Sequence, residues 1–155
     1  MDEPVIKYYR RLLKEGFKNA GSLESPSIFL DTAEEEVSIC SVIGNYIHIF
    51  LNVKNDIIET IKYLCICDPT SNVAVEILCD LVKDKTLEAA ATTTEESFLE
   101  ELEGKSEELQ KKAAGLMELF CKGLARYQSI VPQNNLSNND IKEKEARQAS
   151  VLGLI

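Results

Sequence analysis

The sequence predicts an α+β fold, a small antiparallel sheet of three to four strands with helices packed on one of its faces. Three observations lead there. An amphipathic stretch at helical spacing opens the chain, short runs rich in β-branched and aromatic residues occupy residues 27–63, and helix signals return from Asp68 onward.

Val5, Tyr9, Leu12, Leu13 and Gly16 recur at helical spacing, which predicts a helix over about residues 4–17. Pro4 lies in its first turn, where the missing N–H costs little. Asn19-Ala20-Gly21-Ser22 stops it. Four runs then read as strands: residues 28–30, 37–40, 46–53 and 57–63. Gly44-Asn45 and Lys54-Asn55-Asp56 separate the later ones as turns of a meander. Asp68-Pro69 starts the next helix, the aspartate capping free N–H groups and the proline presetting φ. That helix is expected to reach about residue 83, with Val73, Ile77, Leu78 and Leu81 on its core face.

Thr86 caps a short segment over residues 87–91. Thr92 and Glu95 have the spacing of a capping box before residues 98–103, and Gly104 closes that segment. Ser106 caps a long last helix whose Leu109, Ala113, Leu116, Phe120, Leu124 and Tyr127 form one apolar stripe, ending near residue 129. Beyond Pro132 the chain is polar and Asn-rich. The expected organisation is therefore one domain over residues 1–130 and a flexible tail over residues 131–155.

Charge narrows the function. With 17 Lys and Arg against 26 Asp and Glu, the net charge of -9 disfavours nucleic acid and anionic membrane as partners. No apolar run approaches the roughly 20 residues that span a bilayer. Residues 1–20 are charged and amphipathic, without a signal-peptide core, so the expected location is the cytoplasm. Five cysteines leave one over if they pair, and in a reducing compartment thiols stay free.

Cys65-Ile66-Cys67 leaves a strand and meets a helix start. Residues two apart on extended chain point the same way, so both thiols can face one site. The helix N-terminus is expected to lower their pKa and favour the thiolate, the form that binds iron and attacks persulfide sulfur. Cys40, at the end of a strand expected to pair with residues 46–53, can reach the same sheet edge. Three converging sulfurs are one short of the four ligands of a [2Fe-2S] cluster. Asp68, an exogenous thiol or a residue from another chain could fill the fourth place. The alternative for each is a small buried hydrophobe, and for Cys79 and Cys121, which lie along helix core faces, that reading is preferred. His48 could in principle serve Cys40 as a base, but no nucleophile elbow or oxyanion-type glycine turn accompanies it. No Gly-rich phosphate loop is present.

Several segments together resemble the NifU-like (U-type) iron–sulfur cluster assembly scaffolds. Val5-Ile6-Lys7-Tyr8-Tyr9 and Asn19-Ala20-Gly21-Ser22-Leu23 resemble their opening helix and Asn-x-Gly-Ser turn. Ile43-Gly44-Asn45 resembles their Cys-Gly-Asp segment, and residues 57–63 resemble the strand entering their second cysteine loop. The most specific block is Leu81-Val82-Lys83-Asp84-Lys85-Thr86-Leu87-Glu88-Ala89, which resembles Val-Lys-Gly-Lys-Ser-Leu-x-Glu-Ala. The match runs in one order over about residues 5–127.

The resemblance implies a scaffold or carrier rather than an enzyme. It would bind iron, receive sulfur from a cysteine desulfurase, hold a transient cluster on three cysteines helped by an aspartate, and pass it to recipient apoproteins. The cysteines are displaced. Ile43 stands at the first family cysteine, with Cys40 three positions earlier, and Asn45 at the family aspartate. The second falls on or beside Cys67, with Cys65 as an extra, and the third place holds Lys111 or Lys112. Cys121 lies nine or ten residues later, roughly 14 Å along a helix. Gly104-Lys105-Ser106-Glu107-Glu108 replaces the family's Leu-Pro-Pro-Val-Lys chaperone-binding stretch. The expected ligands are Cys40, Cys65 and Cys67 with Asp68 as fourth ligand or helix cap, and Cys67 as the sulfur acceptor. The cargo is a [2Fe-2S] cluster, with zinc at the same site as an alternative. Assembly of several copies stays open. A further alternative is a degenerate paralogue that docks on the desulfurase as a regulatory module without holding a cluster.

Overall fold

A computed structural model describes residues 1–130, and the tail expected over residues 131–155 lies outside them. The order is α1 (Glu3–Glu15), β1 (Ile28–Asp31), β2 (Tyr46–Lys54), β3 (Ile57–Ile66), α2 (Pro69–Val82), α3 (Leu87–Ala91), α4 (Glu95–Leu102) and α5 (Glu107–Ile130). The chain divides into two units, Met1–Gly123 and Leu124–Ile155. The second is described only over residues 124–130, the last turns of α5. No helix among the described residues is long and apolar enough to cross a membrane.

Strand alternation builds the core of the first unit. The three strands form an antiparallel sheet in the order β1-β2-β3. Leu30 pairs with Ile49 and Ile49 with Tyr63, while Ile28 pairs with Leu51 and Leu51 with Ile61. Period-2 geometry sends all of these to one face, and all are buried. α2 lies against β3 and is buried almost all round, while α1 and α4 pack on α2. The α+β expectation with helices over the sheet is met.

The expected strand over residues 37–40 does not form. β1 takes one edge of β2 and β3 the other, so no edge of β2 remains for it to join. Val37 and Ile39 are buried with Ser38 exposed between them, so the alternation that read as a strand reflects an irregular loop laid on the core.

The outer edge of β3 is also occupied. Tyr63 exchanges backbone bonds with the turn after α1, donating to the Asn19 carbonyl at 3.1 Å and accepting from the Gly21 N–H at 2.8 Å. Farther along, Ile58 N–H donates to the Lys85 carbonyl at 2.9 Å.

The helix caps follow the sequence with two shifts. Asp68, Thr86 and Ser106 accept from the N–H groups of Ser71, Ala89 and Leu109, as expected. The cap of α4 is Thr94, which accepts from Ser97 N–H, rather than Thr92. Thr92 instead donates its hydroxyl to the Ala89 carbonyl at 2.8 Å, closing α3. Glu103, at φ +62°, takes the left-handed closing position expected of Gly104.

Candidate functional site

β3 ends at Ile66 and Asp68 caps α2, so Cys67 is the single residue between strand and cap. Tyr46, the first residue of β2, pairs with Ile66. The irregular loop over residues 37–45 therefore returns to the sheet at the same end. It delivers Cys40 there: Cys40 and Cys67 form a disulfide with Cα atoms 5.4 Å apart, inside the usual span for such a bond. Both residues are half-buried. The Cys40 sulfur lies 4.0 Å from the Ile66 carbonyl oxygen and the Cys67 sulfur 3.7 Å from Asp68 Oδ2.

α5 fixes the loop from the other side. The Lys112 ammonium donates to the Ile39 carbonyl at 2.7 Å and to Asp68 Oδ2 at 3.0 Å. One turn on, Gly115 makes room for the Ile39 side chain, where an added Cβ would come within 2.9 Å of Ile39 Cγ1. Lys112 and Gly115, three residues apart, share a helix face. Together they hold the residue that precedes Cys40.

Asp68 is thus both cap and ion-pair partner. Burial opposes its ionisation, but the Ser71 N–H and the Lys112 ammonium outweigh that and hold its carboxyl below the ordinary aspartate range.

Cys65 behaves otherwise. It lies on β3 opposite Ile47, on the sheet face that carries the core, half-buried and free. Burial first, then the Asp68 charge, pushes its thiol up to about 12 against the opposing pull of Lys112. The helix-start effect expected to favour thiolate at Cys65 is therefore overturned by desolvation.

Of the four residues expected to form the site, the fold brings Cys40, Cys67 and Asp68 together. Among the described residues no three or more His, Cys, Asp or Glu groups are arranged as a metal ion would hold them. The donor set fits iron or zinc as cargo on two conditions: the disulfide must be reduced, and Asp68 must exchange Lys112 for the metal. Cys79 is fully buried in α2, as expected. Cys121, expected in the core, is exposed and its thiol donates to the Ala91 carbonyl at 3.6 Å. His48 is on the outer sheet face, with Nε2 3.4 Å from Asp31 Oδ1 and its ring stacked on Tyr46. It serves the sheet surface rather than Cys40.

A buried network beside the site escaped the sequence reading. Glu76, in the middle of α2, accepts from Tyr63 hydroxyl at 2.8 Å and from Asn19 Nδ2 at 2.9 Å, and Asn19 Nδ2 also reaches Asp80 Oδ1 at 3.0 Å. It ties the turn after α1 to β3 and α2. The available signal was a lone carboxylate inside Val73-Ala74-Val75-Glu76-Ile77-Leu78, three residues after a core valine.

Burial raises the Glu76 pKa above its ordinary 4.5, with the Tyr63 and Asn19 bonds opposing and the Asp80 charge adding. In the unfolded chain the group ionises at lower pH, so its contribution is full below about pH 4.5 and is lost as pH rises through the folded value. Denaturant titrations of wild type and Glu76→Gln across pH 4 to 8 should converge in slope at low pH. The wild type should then lose stability relative to the variant as pH rises. A pH-independent difference would show the carboxyl ionising normally.

No family model matches the chain, and no curated protein matches it. Among solved structures it is similar to an iron–sulfur cluster assembly scaffold protein for the SUF system from Fervidobacterium islandicum AW-1, with 13% identity and TM-score 0.46 over 84% of this chain and 88% of that one. It is also similar to the N-terminal part of a nitrogen-fixing NifU-like protein from Brucella abortus, with 13% identity and TM-score 0.45 over 84% of this chain and 83% of that one. Both values are low, and the chemistry of the site rests on its own residues.

Proposed function

We propose that the chain is an iron–sulfur cluster assembly scaffold or carrier, which binds iron and receives sulfur on cysteine thiolates for transfer to apoproteins. The observation that carries this reading is the meeting of Cys40 and Cys67 at a half-buried sheet end beside Asp68. Two cysteine sulfurs separated by 27 residues are delivered to one point by a loop and a strand-to-helix turn. Thiolate sulfur is the preferred donor to iron–sulfur clusters. Cys65, on the same strand end and influenced by the same Asp68 and Lys112 charges, is the further thiol within this neighbourhood. A cysteine desulfurase is the sulfur source in this reading, and a [2Fe-2S] cluster the cargo.

Oxygen-free reconstitution of the reduced chain with iron and sulfide should give visible charge-transfer absorption. Cys67→Ala should abolish it. A folded, colourless wild-type protein would sink the reading.

One observation favours a second reading, the desulfurase-docking module without a cluster. Lys112 engages Asp68, the oxygen donor nearest Cys67. An ammonium there satisfies the carboxylate without any metal. Metal-free purified protein, together with desulfurase binding that survives joint replacement of Cys40, Cys65 and Cys67, would favour it. Zinc in place of iron, found by metal analysis, would mark a variant of the same site.

A further inference from the structure

Sulfur handed over by a persulfide carries an electron debt. It arrives at the oxidation level of elemental sulfur and needs two electrons to leave as sulfide. Two thiols close enough to form a disulfide hold those two electrons, and the fold supplies such a pair in Cys40 and Cys67.

We propose that Cys67 takes up a sulfane sulfur as a persulfide and that Cys40 then expels it as hydrosulfide by closing the Cys40–Cys67 disulfide. The proposal rests on the scaffold reading for its source of sulfur, a persulfide on a donor protein. It deepens that reading by assigning the electrons to the chain itself.

Each step balances. In the first, the Cys67 thiolate attacks the outer sulfur of the donor persulfide. A Cys67 sulfur–sulfur bond forms, the donor's sulfur–sulfur bond breaks, and the donor leaves as thiolate while the transferred sulfur keeps its proton. In the second, the Cys40 thiolate attacks Cys67 Sγ. The Cys40–Cys67 bond forms, the bond to the outer sulfur breaks, and that sulfur departs with the electron pair and its proton as hydrosulfide. The cysteine pair is oxidised by two electrons and the sulfane sulfur is reduced by two. Two equivalents of a low-molecular-weight thiol restore the pair by exchange.

The surroundings assign the two roles. Cys67 adjoins the N-terminus of α2, and the Lys112 ammonium stands 3.0 Å from the carboxylate oxygen that lies beside the Cys67 sulfur. A thiolate at Cys67 has the helix N-terminus beside it, whereas the polar neighbour of Cys40 is the Ile66 carbonyl oxygen. Cys40 is on a loop with no strand partner, tethered at Ile39, and reaches Cys67 across 27 residues of chain. Cys65 is a half-buried thiol on the core-bearing sheet face. It takes no part in the exchange.

The test uses the full chain, reduced, freed of small thiols and kept oxygen-free, with glutathione persulfide as the sulfur donor. Released sulfide is assayed, and the cysteines are mapped by mass spectrometry after alkylation. Wild type should release one sulfide per chain and gain a Cys40–Cys67 disulfide, and Cys121→Ser, at an exposed cysteine outside the site, should behave alike. Cys40→Ser should lose sulfide release and retain a persulfide on Cys67. Sulfide release by Cys40→Ser at the wild-type rate would overturn the proposal. So would wild type that releases sulfide without forming the disulfide, a result that needs no variant to fold. Iron reconstitution on the same preparations separates the two readings. A coloured cluster without dithiol-driven release leaves the scaffold and removes this step, whereas release without a cluster does the reverse.

Discussion

On the proposed scaffold reading, Lys112→Cys is expected to make a reconstituted cluster more firmly held. The last helix is where the resemblance to U-type scaffolds places a third cysteine, and the sequence left Lys111 and Lys112 as equal occupants of that place. The fold separates them: Lys112 reaches Asp68 and the Ile39 carbonyl, both adjoining the cysteine pair. The substitution would remove the ammonium that holds Asp68 and leave a thiol on the helix face that borders the cysteine pair. It would replace a repelling charge by a sulfur donor. Loss of iron to a chelator from the reconstituted protein should slow by about tenfold or more, equivalent to roughly 1.4 kcal/mol. Lys111→Cys, one residue away on the helix, should leave the rate at the wild-type value. Equal behaviour of the two variants, both folded, would show that α5 does not border the cluster site.

Gly123→Val should strongly destabilise the fold. Helix propensity points the other way, since replacing an interior glycine by alanine gains about 1 kcal/mol in an exposed helix. The surroundings reverse the sign. A Cβ at Gly123 would overlap Cδ2 of Leu30, and Leu30 is fully buried on β1, paired with Ile49. Forcing extra carbon into a packed core costs about 1–3 kcal/mol. For valine, with two more methyl groups and no propensity gain, a loss near about 3 kcal/mol is expected. At roughly 2–4 °C per kcal/mol for a chain of this size, the melting midpoint should fall by about 6–12 °C. Gly16→Ala is a useful contrast: nothing lies within 4 Å of its Cβ position, and its φ of +104° makes any cost one of backbone strain. A stabilised Gly123→Val would show that Leu30 is not packed against α5.

Both expectations concern contacts between α5 and residues more than 40 positions earlier. They mark where reading by periodicity stops. The caps at Asp68, Thr86 and Ser106 were legible because a capping side chain bonds an N–H only three residues away. The core alternation of β2 and β3 was legible for the same local reason. The segment over residues 37–40 alternates equally well, and failed as a strand because β1 had already taken the edge of β2 it needed. Local pattern cannot count edges.

The cysteines divide in the same way. Sequence placed Cys67 beside a helix start, and so it lies. It placed Cys65 at the same site as a further ligand, because extended chain points alternate residues the same way. The fold half-buries Cys65 on the inner sheet face, and that burial, with the Asp68 charge, raises its pKa where a helix start would lower it. Cys121 failed in the opposite sense. Its spacing flanked the apolar stripe of α5, yet that edge of the helix faces outward.

From the amino acids alone came the α+β class, the order of the elements apart from the strand over residues 37–40 that does not form, most of the caps, and the candidacy of Cys40, Cys67 and Asp68, because these depend on spacings of a few residues. Only tertiary structure decided that Cys40 meets Cys67, that Lys112 rather than Lys111 holds Asp68, and that Glu76 is a buried partner of Tyr63 and Asn19. Each of those contacts joins residues brought together by the route of the chain through space, and no local periodicity encodes that route.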